Sequence, residues 1–108
     1  MEAEEAEDMA SVRRDISGIA NTIFISAKGS GRHAARIKVA IDPPDSLNAW
    51  GKNTSVALHD YSIQGQNLPA ALFEEVKAFI DLNREVLLAF WNCEIDTRQA
   101  LDRLRSIR

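Results

Sequence analysis

The chain has 108 residues, 45% hydrophobic and 27% charged, with one cysteine and a net charge of −3. Such values describe one globular domain around one core and exclude a disordered chain, a collagen and a disulfide scaffold. No apolar run approaches the ~18 residues of a membrane span, the acidic N-terminus lacks the cationic start of a secretory signal, and one cysteine makes no internal disulfide, so the expected setting is cytoplasmic.

The charge is unevenly spread. Glu2, Glu4, Glu5, Glu7 and Asp8 are five of the 16 acids, leaving 11 acidic against 13 basic side chains in residues 9–108, a balance of +2. So small an excess marks neither a strongly basic nucleic-acid binder nor an acidic mimic. Residues 1–10 have no aromatic or branched apolar side chain to offset the entropy of ordering. They are expected to form a disordered acidic tail before a single domain over residues 11–108, with Met9 an alternative start to Met1.

Val12, Ile16 and Ile19 are spaced for one short helical turn against the core. Thr22 to Lys28 is rich in branched and aromatic residues and reads as a strand, closed by the turn Lys28-Gly29-Ser30-Gly31-Arg32. Arg36 to Asp42 alternates strictly. Ile37, Val39 and Ile41 face one way and Arg36, Lys38, Ala40 and Asp42 the other, as in a half-buried strand that Pro43-Pro44 terminates. A loop through Leu47, Trp50 and Asn53 follows. Thr54–His59 and Tyr61–Gln64 alternate again, either as a tight antiparallel pair or as one bent strand.

Leu68 to Trp91 reads as one long amphipathic helix with Pro69 in its first turn and Asn67 or Leu68 at its boundary. Leu72, Val76, Phe79, Ile80, Leu87, Phe90 and Trp91 recur at three- and four-residue steps. Asn83 interrupts this stripe, as a break, a buried amide bonded to a loop carbonyl, or a kink; a satisfied structural amide is favoured over a ligand contact. Asp96 and Gln99 have the spacing of a capping box for a short final helix, with Leu101, Leu104 and Ile107 as its apolar face. The predicted fold is α+β: a small, mostly antiparallel sheet of three to four strands, covered on one face by the long C-terminal helix plus the short final one.

Arg36-Ile37-Lys38-Val39 after a glycine turn, Gly65 before Leu68-Pro69, and Phe79–Leu88 running into Trp91-Asn92 and Glu94-Ile95-Asp96-Thr97 resemble a family of small uncharacterised bacterial proteins, the domain of unknown function 4160. The likeness covers roughly residues 20–108 and is most specific in the helical part. The histidine- and proline-rich segment that many members carry early in the chain is not reproduced; here Pro43-Pro44 stands between Asp42 and Asp45. The resemblance implies a bacterial, cytoplasmic, stand-alone domain whose relatives look like partners of small proteins in toxin–antitoxin-type operons. It supplies no catalytic residue.

Lys28, Arg32, Arg36 and Lys38 are the candidate contacts for an anion or nucleic acid, with Lys52 adding charge and Trp50 and Tyr61 as stacking groups. Against this stands an ordinary solvated sheet face whose cations discourage edge pairing. Leu82, Val86 and Leu88 lie off the main helical stripe and are the candidate partner-facing residues. His33 and His59, 26 residues apart, have no metal-ligand spacing, and Ser30 or Ser55 beside Asp42, Asp45 or Asp60 lacks a nucleophile elbow. No cofactor, metal or catalytic constellation is expected. The leading expectation is a non-catalytic protein-interaction or regulatory module that meets another small protein or itself, with weak nucleic-acid binding through the basic strand face and glycine loop as the alternative.

Overall fold

The computed structural model describes residues 8–27 and 34–108. Five strands, β1 (Asp8–Val12), β2 (Ile23–Ala27), β3 (Arg36–Asp42), β4 (Lys52–Ala57) and β5 (Ile63–Gln64), form one antiparallel sheet in chain order. Three helices, α1 (Arg14–Ser17), α2 (Ala70–Trp91) and α3 (Thr97–Arg103), complete the domain. The fold is α+β as expected, with five strands rather than three to four.

The additional strand is β1, which takes residues 8–10 out of the expected tail. Ala10 pairs with Ile25 and Val12 with Ile23, and both are buried in the core. The pairing satisfies the backbone of Met-Ala-Ser-Val, whose composition carries little strand propensity. Residues 1–7 lie outside the described part, as does the glycine turn at 28–33.

After β1 the chain makes a single helical turn. Gly18 ends it at φ 82, its N–H donating to the Arg14 carbonyl at 2.8 Å. A side chain at Gly18 would be strained by that conformation and would also bring a Cβ within 2.6 Å of Ser106 Oγ. The small residue therefore lets the C-terminal segment approach, and the Ile107 amide donates to the Ser17 carbonyl at 3.0 Å.

The two runs after Pro44 are the antiparallel pair β4 and β5, joined by a turn through Leu58–Ser62. Asp60 Oδ1 accepts from the Ser62 amide at 3.0 Å, and Tyr61 takes φ 61. Beneath the sheet lies α2. Val76, Phe79, Ile80, Leu87 and Phe90 are buried in one core with Ile23, Ile25, Ile37, Val39 and Val56. Each large apolar side chain so buried contributes roughly 1.5–3 kcal/mol before entropy.

α2 begins at Ala70, with Pro69 at the N-cap in place of the expected Asn67 or Leu68. It is also kinked: Asn83 has φ −116 and ψ 16 and is buried in the apolar stripe. Its Nδ2 donates to the carbonyls of Phe79 and Arg105, each at 3.0 Å, while its Oδ1 accepts from the Arg105 amide at 2.7 Å. Asn83 is thus a satisfied structural amide. The same contact explains why α3 stops early. Its capping box forms as expected, with Asp96 and Gln99 exchanging bonds of 2.8 and 2.9 Å. At residue 105, however, the amide goes to Asn83, so α3 ends at Arg103, and Leu104, on extended backbone, and Ile107 reach the core from beyond the helix.

Candidate nucleic-acid interface

Because Ile37 and Val39 face α2, alternation places Arg36 and Lys38 on the opposite face of the sheet. Register fixes their neighbours: Lys38 lies between Phe24 and Ser55, Arg36 lies opposite Ala57, and Ser55 lies opposite Gln64. This face, opposite α2, therefore bears two half-buried cations with Ser55, Ala57 and Gln64 beside them. Phe24 belongs to it by register and is nonetheless only 1% exposed. The loop after β3 returns toward the same end of the sheet, where the Thr22 amide donates to the Pro44 carbonyl at 2.8 Å and Asn53 Nδ2 to the Ala49 carbonyl at 2.7 Å.

That loop is shaped by its own polar side chains. Ser46 Oγ accepts from the Asn48 amide and Asn48 Oδ1 from the Trp50 amide, both at 3.0 Å. The outcome is Trp50 standing 74% exposed, with Lys38 Nζ 4.8 Å from its ring centroid. A cation and an aromatic face are thereby held together on one surface.

Beside Arg36 the face is dished. A groove of about 160 Å³ is lined by Ala34, Arg36, Ser55, Ala57, His59, Ser62 and Gln64. Its depth follows from the small side chains of Ala34, Ser55 and Ala57 between longer walls. Among the described residues no carboxylate lines it. Asp60 stands next to it and is engaged by Ser62, whose backbone and hydroxyl hydrogen bonds hold its carboxyl below the usual range; His59 lies 3.4 Å away.

Arg36 and Lys38 are thus brought together, while Lys28 and Arg32 lie outside the described residues. Lys52 starts β4 opposite Asp42. Tyr61 does not join the stacking surface: its hydroxyl donates to Asp81, it accepts from Arg84 Nη2 at 3.1 Å, and Lys77 approaches its ring. Arg84 also donates to the Leu58 carbonyl and bonds Asp81 at 2.9 Å, so this cluster fastens α2 to the β4–β5 turn. Gln64 carries no sequence signal of its own for this site. Only the register of a two-residue strand places it opposite Ser55.

The candidate partner-facing residues do not form one surface. At about 100° per residue Leu82 and Val86 flank one side of the buried stripe and Leu88 the other. Leu82 is 43% exposed and Leu88 37%, whereas Val86 packs against the core. Leu88 borders a concavity of about 310 Å³ with Ala35, Leu58 and Arg84 that adjoins the groove and shares Ala34 and His59 with it.

Among the described residues no group of three His, Cys, Asp or Glu side chains is placed to hold a metal ion. No described helix is long and apolar enough to cross a membrane. Comparison with protein-family models, curated proteins and solved structures gave no match.

Proposed function

We propose that this domain is a non-catalytic binding module whose open sheet face takes single-stranded nucleic acid, weakly and with little sequence preference. The observation that carries the reading is the Lys38–Trp50 pair, a mostly exposed indole with an ammonium over it, and Arg36 on the same face. Successive bases stack on exposed aromatics and the backbone follows cations, a combination that tolerates any sequence. Arg36 and Lys38 are two residues apart, about 7 Å along a strand, a spacing suited to successive phosphates of an extended chain. A cytoplasmic setting belongs to the same proposal.

Fluorescence anisotropy with a labelled single-stranded oligonucleotide tests it. With two cations engaged, log K should fall against log salt with a slope of about −1.4. Arg36→Glu with Lys38→Glu should abolish binding. No binding of the wild-type chain at low salt ends the proposal.

A second reading, a protein-interaction or regulatory module of toxin–antitoxin type, is favoured by Leu88 on its largely apolar concavity and by the family likeness in α2 and α3. It predicts a complex with a small partner protein, or a dimer, that Leu88→Lys dissociates. Light scattering that finds monomer at high concentration removes the dimer form.

A further inference from the structure

We infer that the groove between Arg36 and Gln64 is a seat for one phosphate group. The inference rests on the nucleic-acid reading only for the source of that phosphate; the groove stands on its own chemistry. Its polar lining consists of the Arg36 guanidinium, the Ser55 and Ser62 hydroxyls, the His59 imidazole and the Gln64 amide. Each of these can donate a hydrogen bond, and none is a carboxylate. Arginine offers a planar fork that matches two phosphate oxygens at once, and hydroxyl and amide donors complete the remaining valences. A volume of about 160 Å³ admits one phosphate with little more.

Three strands contribute to the seat. Arg36 stands on β3 opposite Ala57 on β4, and Ser55 on β4 opposite Gln64 on β5. Donors on paired strands keep their spacing, so little ordering remains to be done when an anion arrives. The Ser62 amide donates to Asp60 Oδ1 at 3.0 Å and His59 Nε2 lies 3.4 Å from Asp60 Oδ2, so that carboxylate beside the groove is the charge opposing an anion here. Asp60 therefore tunes the seat, and its removal should strengthen binding. Lys38, two residues beyond Arg36 on the same face, leads from the seat toward Trp50.

The test compares inorganic phosphate with two versions of one short oligonucleotide, 5′-phosphorylated and 5′-hydroxyl, on the full chain. Orthophosphate should shift the backbone amide resonances of Ser55, Ala57 and Gln64. The phosphorylated oligonucleotide should bind about tenfold more tightly than its hydroxyl counterpart, the worth of one charge-assisted contact. That preference should vanish in Arg36→Gln and in Ser55→Ala, and grow in Asp60→Asn. Ser55→Ala serves as the second variant should Arg36→Gln fold poorly. Shifts with orthophosphate but no oligonucleotide binding would support the seat, assign it to a free phosphate or small phosphate ester, and sink the nucleic-acid reading. Equal affinity of the two oligonucleotides, with no orthophosphate shifts at tens of millimolar, would overturn the seat and leave the Lys38–Trp50 reading intact.

Discussion

Asn83 grips the backbone of Arg105 in both directions, accepting from its amide at 2.7 Å and donating to its carbonyl at 3.0 Å. A hydrophobic helix former at this position would strengthen the stripe of α2 and strand both backbone groups of Arg105. The second effect should win. Asn83→Leu is expected to cost roughly 1–3 kcal/mol, because two part-buried hydrogen bonds to the exposed Arg105 are lost and the kinked backbone must also readjust. Urea denaturation with an unchanged slope and a lowered midpoint would measure it.

Cys93 is the C′ residue of α2. Its amide donates to the Phe90 carbonyl at 3.0 Å, and that of Glu94 to the Ala89 carbonyl at 2.8 Å, the two bonds of a Schellman motif. The position requires φ 61, and the cysteine is exposed, so little packing opposes a change. Cys93→Gly should stabilise the domain by about 0.5–1 kcal/mol, and Cys93→Val should destabilise it. Thermal melts of the two variants should move in opposite directions.

The Tyr61–Asp81–Arg84 cluster gives stability a modest pH dependence. The Tyr61 hydroxyl, then Arg84, holds the Asp81 carboxyl below its ordinary range. Its contribution is therefore complete above the unfolded value near ~4 and is lost as pH falls through the lower folded value. Hydrogen bonding to Asp81 pushes Tyr61 upward instead, so its contribution is present below ~10 and is lost as pH rises through the raised folded value. Solvent exposure keeps both effects small. Asp81→Asn should flatten the acid limb of a stability–pH curve, measured by denaturant midpoints between pH 2 and pH 6.

Trp50 separates a binding role from a structural one. Since 74% of it is exposed, Trp50→Ala should change stability by less than about 0.5 kcal/mol. If bases stack on it, the same substitution should lower oligonucleotide affinity by roughly 1–3 kcal/mol. A large loss of stability with unaltered affinity would assign the indole to the scaffold.

Much of this architecture is legible in the chain because the helical and strand periods are strong where the core is. The stripe from Val76 to Trp91, the alternation of β3 and the Asp96–Gln99 box each declare themselves locally. What stays hidden depends on partners distant in sequence. The start of β1 looks like tail and Val12 like part of a helical turn, because Ala10 and Val12 gain their burial from Ile25 and Ile23 across the β1–β2 pairing and from α3, all distant in sequence. The end of α3 is set by Asn83, 22 residues earlier. Half of the candidate site is visible as the period-two cations Arg36 and Lys38. The rest is not, since Ser55 and Gln64 become neighbours only through the β4–β5 register, and Tyr61 is drawn to α2 by Arg84 and Asp81.

Every pairing in the sheet joins strands that follow one another in the chain, whereas Arg108 reaches Gly18 across 90 residues. Short hairpins close at little entropic cost, so the meander should assemble before that distant tie is made. The same order runs backwards under native conditions. Residues 106–108, beyond the Asn83–Arg105 contact, should open more readily than the sheet, and the Ile107 amide should exchange with deuterium well ahead of those in β3.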